Sequence, residues 1–436
     1  GQIRMKFRLS RYEVLPLFAY EPLQDVLTSL DGGCTKLVNT LKELAPREYT
    51  EIGITLARIY VPHELGFQSV ANILADEIHQ TDDASVLFRG NSIGSKLLDT
   101  YQQMVADRYL AKLLGPIIGK LMISKTSLDP DPYSPNFSEK NMDRLKRQCE
   151  QVLNMIYESD TLIPTDLKYI YSKLRREAAR KQSESKVDVQ LEHIAVSSFF
   201  FLRLVCPALL NPNLFNLADE HAGQVPARNL TLIAKVVQTC ANLGKFGVKE
   251  PYLEPLNDFL NEQSMKMQLF IVKIATVARN KIQHHDNLAS STSISLDTSG
   301  ASSNAPTLQS SPRNPPLSNR ATTTSKGLAL ELCKIASILI NQKEKLQELA
   351  ENDTLTKSTI IPLLNGLIQS KNTCLQKQSL SSSTFDATSS DGSSKTTRRR
   401  RRRRKRKPGS SSDQKKKRKR KKKIDSSDTD TDTDNE

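Results

Sequence analysis

Two arginines with unlike surroundings are the residues of this chain best suited to chemistry. Arg203 lies in Phe201-Leu202-Arg203-Leu204-Val205-Cys206-Pro207-Ala208-Leu209-Leu210-Asn211-Pro212, within an almost wholly apolar run from Ile194 to Leu210. A guanidinium keeps its proton in a protein and is costly to bury without acceptors for its N–H groups. One reading is an arginine that snorkels out of a core helix. The other is a cation that donates to carbonyls freed near Pro207, which has no amide hydrogen and interrupts a helix. Arg89 lies in Val86-Leu87-Phe88-Arg89-Gly90-Asn91-Ser92, a loop pattern ahead of a helical one, and taken alone it reads as a solvated loop charge. No paired carboxylates, nucleophile elbow or phosphate-cradling glycine loop stands out. Cys34, Cys149, Cys206, Cys240, Cys333 and Cys374 lie far apart, and the histidines are scattered, His284-His285 reading as a surface pair. That spacing fits reduced thiols better than a disulfide frame or a metal site. The expectation is a chain with no metal, no cofactor, no small-molecule substrate and no hydrolytic centre of its own.

The two arginine segments, in this order, resemble the catalytic domain of the Ras GTPase-activating proteins. The resemblance extends to Leu167-Lys168-Tyr169-Ile170-Tyr171, Ala234-Lys235-Val236-Val237-Gln238, Ala241-Asn242-Leu243 and Lys249-Glu250-Pro251-Tyr252. Within that family the chain looks most like the subclass with upstream Src-homology, pleckstrin-homology and C2 domains. The resemblance implies an all-α, multi-helix domain that accelerates GTP hydrolysis by a Ras-type small GTPase in its GTP-bound form. Arg89 would be an arginine finger inserted in trans, with Gly90 giving its loop freedom and Phe88 anchoring its base. Arg203 would donate to carbonyls of the finger loop and hold Arg89 extended. Leu202 would pack against the docked GTPase, and Lys235, Gln238 and Asn242 would hold its switch regions, Lys235 through acidic groups. Lys96 and Ser85 are further implied contacts. Read without the resemblance, Lys235, Gln238 and Asn242 are an ordinary polar helix face, at i, i+3 and i+7.

The elements that must position these residues read as helices. From about Leu27 to Lys281 apolar residues recur at helical spacing, as with Leu97, Tyr101, Met104 and Val105 after the Arg89 loop. Further helices are expected at Asn141 to Ser159, Pro164 to Lys181, Ile194 to Cys206, Arg228 to Leu243 and Pro255 to Arg279. Residues 1–25 open with an alternating stretch, Gln2 to Leu9. That stretch reads either as the last strand of an upstream C2-like β-sandwich with a linker or as a frayed terminus. The absent initiator methionine suggests a fragment or a processed chain. Residues 26–285 are expected to form the helical catalytic domain, and the Ser, Thr, Asn and Pro-rich 286–326 to be a disordered insertion. Residues 327–376 should form a helical pair packing back on the domain. An independent coiled coil is the alternative, with too few heptads to favour it. Residues 377–436 read as a disordered serine-rich, polybasic and acidic tail.

Charge is uneven along the 436 residues. The net +15 collects in 398–423, where 19 Lys or Arg face one acid, Asp413, for a net of +18 and a remainder of −3. The globular part is therefore not a basic nucleic-acid binder. The tail has four competing readings: a bipartite nuclear-import signal read by an importin, a tether to an anionic membrane, charge-driven nucleic-acid binding, and pairing with its own acidic end, Asp425 to Glu436. Ser427, Thr429 and Thr431 each precede an aspartate by three residues, and phosphate there would weaken anion binding. A cytoplasmic protein, recruited to the plasma membrane or imported into the nucleus, is the expected location. Against the activator stand two other classes: a scaffold that binds a GTPase without accelerating it, and a nucleic-acid factor driven by the tail.

Overall fold

The computed structural model describes residues 12–81, 88, 90–185, 190–277, 324–354 and 356–386. Helices α1 (Glu21–Thr28), α2 (Gly33–Leu44), α3 (Tyr49–Tyr60) and α4 (Gly66–Gln80) open the chain. They are followed by α5 (Ile93–Val105), α6 (Asp107–Met122), α7 (Asn141–Tyr157) and α8 (Thr165–Ser185). Next come α9 (Leu191–Ser197), a π-helix (Ser198–Val205) and α10 (Cys206–Leu210), which run on without a break. The chain continues with α11 (Gln224–Ala241), α12 (Asn257–Ile274), α13 (Ser325–Asn341), α14 (Lys343–Asn352) and α15 (Ile361–Asp386). Among the described residues there is no strand, and the fold is all-α as the periodicity implies. The alternating stretch Gln2 to Leu9, the Ser/Thr-rich 286–323 and the basic blocks 398–423 lie outside the described residues. Residues 17–25, expected as linker, are already structured. Pro22 stands in the first turn of α1, where its fixed φ suits a helix start, and Leu23 and Leu27 are fully buried.

The run Leu191–Leu210 is apolar enough by composition to cross a membrane, yet 72% of it is buried inside the bundle. It is the central core element. Phe199, Phe200 and Phe201 are at most 1% exposed, three successive side chains that no one-sided surface helix could bury. Phe200 meets Phe201 and Phe270 edge-on, at 4.9 and 5.5 Å, so α12 covers this part of the run. The helix expected at Ile194 to Cys206 therefore runs further at both ends and widens in its middle. There the Cys206 N–H donates to the Phe201 carbonyl five residues back. Such an extra residue per turn is uncommon and gathers at functional sites. The π register gives way to α10 one residue before Pro207, which has no N–H to donate.

The helices after residue 324 pack on the first ones. Arg58 on α3 pairs with Glu331 on α13 at 3.2 Å, Lys334 reaches Glu51 at 3.6 Å, and Lys345 donates to the Glu43 carbonyl. The chain bends at Gln342 and again near Asp353, so three helices stand where a pair was expected. Burial pushes the Cys34 and Cys240 thiols up to about 11 and Cys206 to about 12, which leaves them unreactive near neutrality.

One core contact sets an acid limit. His193 Nε2 donates to the Ala241 carbonyl at 2.7 Å, tying α9 to the end of α11, and burial pushes the imidazole pKa down. The folded state resists the proton that the unfolded chain takes up below about pH 6.5. Stability is thus complete above that pH and falls as pH drops through it. His193→Gln, which keeps the donor without the titration, should flatten the fall in urea midpoint between about pH 7 and 5.

Candidate functional site

Arg203 projects from the π-helix, and its Nη2 donates to the Phe88 carbonyl at 2.6 Å and to the Gly90 carbonyl at 3.3 Å. These acceptors lie 115 and 113 residues away in sequence, not beside Pro207, where freed carbonyls were expected. The π register returns the Phe201 carbonyl to the Cys206 N–H, and the Arg203 side chain reaches across to Phe88 and Gly90 instead. The guanidinium also lies over the Phe199 ring, 5.8 Å from its centroid. In sequence, Arg89 falls between the two residues whose carbonyls Arg203 holds. Arg89 and Ser85 themselves lie outside the described residues.

Phe88 carries the backbone cost of this turn. Its φ is 57°, a left-handed conformation that costs a bulky residue about 1–3 kcal/mol unless its surroundings impose it. They do so here. The ring is buried against Phe199, 4.7 Å between centroids, while its carbonyl accepts from Arg203. Gly90, expected to be the flexible point, shows no left-handed φ, and an added Cβ would meet nothing within 4 Å. The unusual turn is made by Phe88 instead.

On its other side Gly90 is fixed by the start of α5. Ser92 and Ser95 form a reciprocal capping box, and Ser95 Oγ also donates to the Gly90 carbonyl at 3.1 Å. Behind them Glu77, on α4, accepts from Ser92 Oγ at 2.5 Å. A Cβ at Gly94 would sit 2.3 Å from Glu77 Oε2, so only glycine lets this carboxylate reach the N-terminus of α5. Burial raises the Glu77 pKa, opposed by the Ser92 bond, Lys42, the Gly94 amide and the Arg203 charge. Burial likewise raises Asp99, opposed by Arg203 and Lys96. The half-buried guanidinium thus lies within electrostatic reach of two carboxyl groups, one on α4 and one on α5. Glu77, Ser95 and Asp99 were not singled out in the sequence; only the Ser92-x-x-Ser95 spacing before a helix hinted at them.

The remaining candidates gather around the same element. Cys206 Sγ donates to the Ala234 carbonyl at 3.7 Å, so the end of the π-helix lies against α11 beside Lys235. Leu202 is 37% exposed, an apolar side chain left uncovered beside an otherwise buried run. Lys235 and Gln238 are half-buried on α11, and Asn242 is exposed where the helix ends. Lys235 is ion-paired with Glu250, a partner the sequence reading did not weigh. Lys96 is half-buried on α5, its stem against α3, where a Cβ at Gly53 would come within 2.7 Å of the Lys96 Cβ.

Comparison with known proteins follows the same outline. Residues 131–242 match the family model described as "GTPase-activator protein for Ras-like GTPase". That range contains Leu202, Arg203, Lys235, Gln238 and Asn242 but not Arg89. The Caenorhabditis elegans protein named Ras GTPase-activating protein gap-2 is 31% identical over 287 residues, 64% of this chain and 23% of its own length. The human Ras GTPase-activating protein 1 is 30% identical over 283 residues, covering 64% of this chain and 26% of itself. The human RAS protein activator like-3 is 33% identical over 279 residues, 63% of this chain and 27% of itself. The chain thus spans about a quarter of the length of these curated relatives.

Proposed function

The chain belongs to the Ras GTPase-activating protein family, and on that premise we propose that it accelerates GTP hydrolysis by a GTP-bound Ras-type GTPase, with Arg89 as the cation supplied in trans. The observation that carries this reading is the Arg203 guanidinium bonded to the carbonyls on either side of Arg89. A loop built only to connect two helices has no need of a half-buried cation that fixes the peptide before and after one residue. A loop that must present one side chain to another molecule does.

Hydrolysis of the γ-phosphate spreads negative charge over the transferring phosphoryl group and its leaving oxygen. A guanidinium already held in place meets that charge without reorganising at the moment of reaction. In this scheme Phe88 and Gly90 are fixed so that Arg89 is delivered, and Leu202 supplies an apolar contact beside it. The lack of a Cβ at Gly90, which nothing described in this chain requires, leaves room for a partner surface. Lys235, Gln238 and Asn242 would engage the partner, Lys235 by its charge. The GTPase contributes the nucleotide and the attacking water, and this chain forms no covalent intermediate.

The test is single-turnover hydrolysis by GTP-loaded Ras, with and without the full chain. Acceleration is expected. Tight binding of the GTP form with no acceleration would instead favour the scaffold.

Lys235 makes a separate prediction. Its pairing with Glu250 means that a docking partner must compete for the ammonium. Glu250→Gln should lower the half-saturating concentration about two- to threefold, because a partly exposed pair is worth no more than about 1 kcal/mol. Lys235→Ala should raise it about fivefold with the rate at saturation little changed. Titrating each variant against GTP-loaded Ras checks the opposite signs.

A further inference from the structure

We propose that Lys181 is a second positioning residue for the Arg89 loop, acting at the loop's origin as Arg203 acts at its end; the inference rests on the activator reading above. Lys181 lies on α8 and is only 8% exposed. Among the described residues no carboxylate pairs with it. Its ammonium donates instead to three carbonyls at the end of α4: Ile78 at 2.6 Å, His79 at 3.3 Å, and Thr81. An ammonium has three donors, and all three find acceptors here.

A helix end leaves its last carbonyls without intrahelical partners, and water or a C-terminal glycine usually serves them. Here a buried cation serves them, at the negative end of the helix dipole. The cost of burying an ammonium is unusual for a simple cap. What it gains is a fixed direction for the chain as it leaves Thr81, since the carbonyls of Ile78, His79 and Thr81 converge on one atom. Seven residues later the Phe88 carbonyl accepts from Arg203. The two cations come from α8 and from the π-helix, and α8 packs directly on α9, which runs into that π-helix. Elements packed on one another thus hold Thr81 at one side and Phe88 at the other side of the segment that carries Arg89.

Lys181 is not needed merely to hold α4 and α8 together. Phe67 and Tyr169 meet edge-on at 4.9 Å, Lys173 donates to Asn72 Oδ1, and His79 pairs with Glu177 at 3.2 Å. Its removal should free the end of α4 and leave the packing intact.

The experiment compares the full chain with Lys181→Met and Lys181→Arg, the second keeping charge and donors. In single-turnover assays on GTP-loaded Ras, Lys181→Met should lower the saturating rate about ten- to a hundredfold, the penalty of a small misplacement of a reacting group. The half-saturating concentration should stay within about twofold, and Lys181→Arg should recover most of the rate. Hydrogen exchange gives an arm independent of activity: amides of 79–92 should exchange faster in Lys181→Met, with those of α8 and the first turns of α4 unchanged. An unaltered saturating rate, unaltered exchange at 79–92, or faster exchange spread through α4 and α8 would each overturn the proposal. Should the unsubstituted chain fail to accelerate hydrolysis, the activator reading falls, and the exchange arm still decides whether Lys181 orders the segment. If Lys181→Met does not fold, Lys181→Gln carries the same comparison with a shorter donor.

Discussion

Arg89→Ala is expected to reduce the stimulated rate of GTP hydrolysis by about a thousandfold or more, the general size of an arginine finger's contribution. Its binding to the GTP form should change far less. The asymmetry follows from where the charge is needed. A guanidinium that meets negative charge developing only in the transition state stabilises that state and not the ground state, so the loss appears in the saturating rate. Neighbouring contacts at Leu202 and on α11 would still hold the partner. Arg89→Lys is a sharper form of the test. A lysine keeps the charge but not the planar fork that reaches two oxygens at once, and it should recover little of the rate. A variant that lost binding and rate together would place Arg89 in docking. A variant that lost neither would leave the activator reading without its central residue.

How much of this was legible beforehand differs between fold and site. The helical spacing of Leu97, Tyr101, Met104 and Val105 gave α5 its apolar face, and the same reasoning placed α7, α8, α11 and α12 to within a few residues. Periodicity reports which face is buried, and that suffices wherever a helix has one wet side. It fails at Ser198–Val205, where the element is buried all round and three phenylalanines follow one another. No face exists there for the pattern to reveal, and the π register rests on tertiary packing. The bend that splits the last helices at Gln342 is likewise set by contacts with α2 and α3, which local sequence does not carry.

For the site, an arginine inside an apolar run announced that its N–H groups need acceptors or water, because a guanidinium cannot be neutralised by losing its proton. Which acceptors those were could not be read from Pro207 nearby. Glu77, Ser95 and Lys181 gave no comparable signal, since a glutamate, a serine or a lysine in a helix is ordinarily solvated. Their burial is visible only once α4, α5 and α8 are packed. Phe88 shows the same limit from the backbone side: glycine follows two residues later and invites the unusual turn, but the fold places it at the phenylalanine, whose ring finds Phe199.

Arg203→Ala carries the second large effect, and its pattern separates positioning from chemistry. The rate of stimulated hydrolysis should fall about ten- to a hundredfold, as expected when a reacting group loses its support. In a double-mutant cycle with Arg89→Ala the two losses should not add. With Arg89 gone nothing remains for Arg203 to position, so the double variant should match Arg89→Ala alone. A further loss in the double variant would give Arg203 a role of its own on the partner. Stability supplies a second, independent sign. Burial raises Glu77 and Asp99, and the Arg203 charge opposes both shifts, so its removal raises both carboxyl groups further. A carboxyl whose folded pKa exceeds its unfolded value costs stability as pH rises through the interval between them, and the cost vanishes below it. The stability deficit of Arg203→Ala should therefore be larger at about pH 7.5 than at about pH 5, whereas losing a fully solvated cation would leave a deficit with little pH dependence. Urea midpoints at both pH values measure it, and a deficit that grew toward acid would mean that Glu77 and Asp99 do not depend on this guanidinium.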